Sequence, residues 1–165
     1  MLTSYALDGF AHAAESLIGR AYGRQDWREF AATVRGAARF SFWTAAAAAL
    51  LFAVGGNALI ALLTGLEEVR MTAAQYLPWM VVMPLIAVWS YLLDGVFIGT
   101  TAVREMRNSI FIGLAAYLPA WWLTQGLGNH GLWLAFMLFT LVRSAVLIYY
   151  YRLYYHRAHR LPHWR

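Results

Sequence analysis

The chain has 165 residues, of which 61% are hydrophobic and only 13% charged, with a mean hydropathy of +0.51 and a pI near 9.8. A soluble domain is usually about a quarter charged, so the composition excludes a water-soluble globule and points to an all-α polytopic membrane bundle. The absence of Cys excludes disulfides and thiolate metal sites, and all 13 basic residues are Arg.

In chain order, the first segment, residues 1–22, is apolar apart from Asp8, His12 and Glu15 and ends at Gly19-Arg20, where an Arg-rich stretch begins. It lacks the basic start of a signal peptide and carries acids within the apolar run, so it reads as a helix of the mature chain. At 100° per residue, Asp8, His12 and Glu15 fall within about 60° of one another and form a single polar stripe. From Phe40 to Leu66 there are 27 residues without a charge, and from Met71 to Leu93 another 23. Each run suffices for the roughly 20 residues that span a bilayer as helix. The uncharged run Asn108 to Val142 is 35 residues long, too long for one span, and Gln125-Gly-Leu-Gly-Asn-His-Gly131 marks a turn inside it. The expectation is one membrane domain over 1–165 with about five transmembrane helices, near 1–22, 41–65, 73–101, 108–125 and 131–152, and a basic tail 153–165.

Arg placement orients them. Five Arg fall between Arg20 and Arg39, two in Arg104 to Arg107 and four in Arg152 to Arg165, and these segments share one side if five helices alternate. The opposite loops hold only Arg70, beside Glu67 and Glu68. By the positive-inside rule the Arg-rich side is cytoplasmic, which puts the C-terminus inside and the first residue outside a bacterial inner membrane. The chain then opens in mid-helix on the outer side, so a preceding segment is expected. The basic aromatic tail from Tyr149 to Arg165 favours anionic headgroups of the bilayer, and the high pI is a topological signal, not a nucleic-acid footprint.

Three blocks carry a resemblance: Asp8-Gly-Phe-Ala-His-Ala-Ala-Glu-Ser-Leu-Ile-Gly-Arg-Ala-Tyr-Gly23, Leu77-Pro-Trp-Met-Val-Val-Met-Pro84, and Leu93-Asp-Gly-Val-Phe-Ile-Gly99 leading into Arg104-Glu-Met-Arg-Asn-Ser109. In this order they resemble the multidrug and toxic compound extrusion (MATE) family, in its DNA-damage-inducible F (DinF) branch. The resemblance implies about twelve helices in two six-helix lobes, of which this chain is similar to the last five helices of the C-terminal lobe. It also implies a cavity between lobes, so transport is expected to need the N-terminal lobe as partner. An acid in the third helix belongs, by this resemblance, to a cation-binding site, and Asp94 occupies that place.

The residues alone give the acids a reason. An ionised carboxylate facing lipid is costly, so Asp8, Glu15 and Asp94 are expected to face other helices or a wet cavity. There an acid exchanges a proton for a cation, as a coupled exporter requires; alternatively it only hydrogen-bonds neighbouring helices. Pro78 and Pro84 precede Asp94, and irregular backbone at depth lines protein or water more readily than lipid. Tyr91, Trp89 and Met83, with His12 on the first helix, are candidates for an aromatic, polarizable wall against organic cations, or for ordinary packing. Arg143 lies midway along the last helix, roughly 12 Å of helical rise from Tyr151. It either snorkels or pairs inside, with Asp94, Glu15 or no acid as partner.

Other signals are weak. Gly126-Leu-Gly-Asn-His-Gly131 lacks the strand that a dinucleotide fingerprint requires. His156, His159 and His163 lack neighbouring acids and read as a solvated tail, so no metal is expected. No zinc, nucleophile-elbow or phosphate-loop signature is present, so the chain is not expected to be an enzyme. The expected function is an antiporter exporting organic, cationic and aromatic compounds, driven by H+ or Na+ with no other cofactor. The alternatives are a non-transporting membrane module or a lipid-linked glycan flippase.

Overall fold

A computed structural model describes residues 15–160, with side chains placed through Tyr154. Among the described residues the chain is all helix, apart from short connections. The described part of helix α1 is residues 15–23, and α2 Trp27–Leu63, α3 Glu67–Gly99, α4 Val103–Leu123 and α5 Asn129–Arg160 follow, with a 3-10 turn Gln125–Leu127 before α5. In space α3 lies between α2 and α5, and α4 packs on the far side of α5. The helices thus run up and down, with α1, α3 and α5 pointing the same way.

Helix ends overshoot the charge-free runs. The segment from Arg20 to Arg39, expected as a loop, holds only a turn at 24–26, and α2 begins at Trp27 rather than near residue 41. The cause is local: the Asp26 side chain accepts the Glu29 backbone N–H at 2.9 Å, capping α2 with an Asp-x-x-Glu pattern that was present in the sequence. The uncharged run marks the bilayer edge, whereas the helix continues beyond it. Likewise α3 starts at Glu67 rather than 73, α4 at Val103 rather than 108, and α5 runs through 153–160 of the expected tail.

Three described helices are long and apolar enough to cross a membrane, in Trp27–Leu63, Glu67–Gly99 and Asn129–Tyr154. Helix α4 is not among them, because Arg104, Glu105, Arg107 and Asn108 fill its first turns. It nonetheless pairs with α5 along its length, where Gly113 leaves room for the Phe139 ring: a Cβ there would lie 2.9 Å from that ring.

The Arg-rich segments meet at one end of the bundle. There Ile18 and Ala21 of α1 pack with Phe30 and Val34 of α2 and Val96 of α3, and Tyr22, Trp27 and Tyr151 surround them. At the opposite end Arg70 has a local task. Its Nε donates to Thr64 O at 2.8 Å and its Nη2 to Ala61 O at 3.0 Å, satisfying carbonyls left open by the end of α2 and complementing its dipole. A lone Arg away from the Arg-rich end is thereby explained by helix capping.

Helix α1 lies against α3 at a glycine crossing. A Cβ on Gly19 would sit 2.7 Å from Gly99 O, and one on Gly99 would sit 2.7 Å from Glu15 O. Gly95-x-x-x-Gly99 is the small-residue spacing that lets two membrane helices approach backbone to backbone. Because the obstructing atoms are main chain, Gly99→Ala must push the helices apart. We expect it to lower stability of the full-length protein by about 1–3 kcal/mol. Gly36→Ala, whose Cβ meets nothing within 4 Å, is expected to be neutral. Thermal unfolding of the purified variants checks the contrast, and equal melting temperatures would remove the crossing as a constraint.

Candidate functional site: a buried ion pair between α3 and α5

Helix α5 touches α3 at three levels. Near the end away from the Arg-rich segments, Trp79 Nε1 donates to His130 Nδ1 at 2.9 Å, and the Tyr76 ring lies 4.7 Å from the His130 ring. Toward the Arg-rich end, Leu93, Phe97 and Leu147 form a closed apolar cluster. Between them lies the site. Arg143 Nη2 donates to both carboxylate oxygens of Asp94, at 2.6 and 2.8 Å, and Arg143 Nη1 donates to Ser90 Oγ at 3.0 Å.

The sequence places these groups for simple reasons. Ser90 and Asp94 are one turn apart, so both project from one face of α3 toward α5. The flat guanidinium presents two terminal nitrogens and meets both at once. Side-chain exposure is 15% for Arg143 and 17% for Asp94, and the Leu93–Phe97–Leu147 cluster closes the side toward the Arg-rich end. Either charge alone at such depth costs several kcal/mol, and pairing with short charge-assisted bonds offsets much of it. The Nε of Arg143 is buried and has no partner among the described residues, as is true of Ser144 Oγ. The guanidinium is therefore gripped only at its tip.

Glu15 approaches α3 from another side. Its Cγ would be 3.5 Å from a Cβ on Gly95, the residue after Asp94. The missing side chain at Gly95 thus lets a second carboxylate-bearing side chain lie against α3, while Asp94 itself faces α5. Among the described residues no group of three or more His, Cys, Asp or Glu side chains gathers in the manner of a metal site.

The other expected site residues are dispersed. Asp8 and His12 lie outside the described residues. Tyr91 is 71% exposed, about 60° around α3 from Asp94 by helical geometry. Trp89 turns toward α2, with its ring 6.5 Å from that of Phe42, and Met83 is half-buried on the Asp94 side of α3. Tyr91, Trp89 and Met83 therefore do not form one wall. Sequence reasoning missed Ser90, although a hydroxyl one turn before an intramembrane acid was a legible signal, and it missed the glycine pair that admits Glu15. Arg143 turns inward rather than snorkelling, and of the partners left open it takes Asp94.

The MatE family model matches residues 1–123. The chain is 40% identical over 163 residues, 99% of its length, to the DNA damage-inducible protein F of Escherichia coli (strain K12). It spans about a third, 34%, of the length of that curated relative. No solved structure matches. With the family model covering 123 of its 165 residues, the chain belongs to the MatE family, the multidrug and toxic compound extrusion transporters.

Proposed function

We propose that this chain forms most of one lobe of a cation-coupled exporter, and that Asp94 and Glu15 carry its coupling to H+ or Na+, with Asp8 as a further acid of the same set. The observation that carries this reading is a carboxylate held within an apolar bundle, facing a guanidinium on one side of α3, with a second acid close by. Purely structural bundles rarely keep ionisable groups at depth, because each costs about 2.5–3.5 kcal/mol at the centre of a membrane helix. A carboxylate there accepts a proton or a small cation, and each occupancy changes which neighbouring helix it holds.

The cargo in this reading is a small organic compound, cationic and aromatic, met in a cavity shared with the lobe that the relative's additional length supplies. Tyr91 supports that reading through its exposed ring, three residues before Asp94 on α3. The Arg-rich end of the bundle is assigned to the cytoplasmic side of a bacterial inner membrane, on the strength of the collected Arg residues of α1, α2, α4 and α5.

Two outcomes are expected. In the full-length transporter, reconstituted in proteoliposomes, Asp94→Asn and Glu15→Gln each reduce substrate-linked H+ or Na+ movement about tenfold or more. An amide keeps the hydrogen-bonding reach of the acid but cannot exchange a cation. Wild-type ion movement in both variants would remove these acids from coupling. Separately, single Cys residues introduced at Arg107 and Gly126 of a Cys-free full-length protein, both exposed and at opposite ends, are expected to label only from inside and only from outside. Reversed labelling would overturn the orientation.

A further inference from the structure

Arg143 belongs to none of the motif blocks, yet it makes the shortest polar contacts between α3 and α5. An Arg is protonated under all physiological conditions, so at Asp94 it already occupies the place that a coupling cation would take. Two cations in contact with one carboxylate repel each other strongly at short range in a medium of low dielectric, so each weakens the other's hold on Asp94. We propose that Arg143 is a tethered competitor of the coupling ion: arrival of H+ or Na+ at Asp94 displaces the guanidinium, and return of the guanidinium expels the ion. This rests on the reading of Asp94 as a coupling carboxylate.

The geometry suits release and return. Nη2 holds Asp94 while Nη1 holds Ser90, one turn earlier on the same helix, so the Ser90 hydroxyl helps to seat the competitor on the carboxylate. The unpartnered Nε leaves the stem ungripped, and the tip is free to pivot about it. In the proton case an O–H bond forms on Asp94, the guanidinium keeps its own protons, and the pair changes from neutral to singly positive. Sodium gives the same change in charge without a new covalent bond. Because the competitor is part of α5, its rebinding is intramolecular and needs no encounter. The exchange also loosens the middle of the α3–α5 contact while the Trp79–His130 bond and the Leu93–Phe97–Leu147 cluster hold its two ends. Arg143 is thus a positioning residue whose occupancy of Asp94 reports on, and sets, ion affinity.

The sign of the test is fixed by competition. Removing the competitor must tighten ion binding and slow ion release. In purified full-length protein, Na+ binding is measured by calorimetry, and proton uptake by pH change in weakly buffered solution, with Asp94→Asn as the reference that identifies the Asp94 signal. Arg143→Gln is expected to reach half-saturation at about a hundredfold lower Na+ or proton concentration, the size of the two charge-assisted hydrogen bonds to Asp94. Ser90→Ala, a mild change that loosens this seating, is expected to shift it about threefold in the same direction. Arg143→Lys, which keeps a charge but loses the fork, should fall between wild type and Arg143→Gln. A merely structural Arg143 would lower the melting temperature without moving the ion midpoint. Should Arg143→Gln fail to fold, Ser90→Ala and Arg143→Lys carry the test. Unchanged midpoints in the folded variants, beside a normal Asp94-dependent signal in the wild type, would overturn this inference alone. Absence of any Asp94-dependent signal in the wild type would remove the coupling role on which it rests.

Discussion

Electrostatics at depth dictates how α3 and α5 meet. A carboxylate at position 94 and a guanidinium at position 143 sit in helices that are otherwise apolar, and neither tolerates isolation there. Once Asp94 and Arg143 are paired at 2.6 and 2.8 Å, the azimuth of both helices about their axes is fixed. Ser90 then faces α5, Leu93 and Phe97 meet Leu147, and Trp79 reaches His130. Apolar packing alone selects an orientation poorly in a membrane, where lipid tails compete on equal terms with side chains. A charge pair selects one orientation and rejects the rest.

The other face of α3 is set by absence of bulk. Gly95 and Gly99 admit α1 to backbone contact, and Glu15 lies in the space that Gly95 leaves. The two devices act on adjacent residues, Asp94 and Gly95, which point about 100° apart on the helix. One helix thus presents an acid to α5 and receives an acid from α1, through neighbouring positions in one short motif, Leu93-Asp-Gly-Val-Phe-Ile-Gly99. Movement of either partner helix is therefore felt at the same turn of α3.

Much of this architecture is legible in the sequence. Arg segregation gave the two ends of the bundle, because the cost of carrying Arg across a membrane acts on composition directly. Helix limits were not legible from the charge-free runs, which report where lipid begins and not where hydrogen bonding stops; the Asp26-x-x-Glu29 cap was the signal for α2. The partner of Arg143 was undetermined because periodicity fixes which residues share a face of one helix, but not which face another helix meets. The same gap explains why Tyr91, Trp89 and Met83, close in sequence, point to different surroundings: Trp89 toward Phe42 of α2, Tyr91 outward.

The dependence of the fold on the Asp94–Arg143 pair is tested most directly by a double-mutant cycle on unfolding of the full-length protein, with Asp94→Asn and Arg143→Gln made singly and together. Breaking a buried pair leaves one charge uncompensated and typically costs about 3–5 kcal/mol, whereas removing both charges is close to neutral. The account predicts that the double variant is more stable than Arg143-bearing Asp94→Asn, with a coupling of about 3 kcal/mol between the two positions. Losses that simply add would mean that the two side chains do not hold each other in the folded protein, and would contradict it.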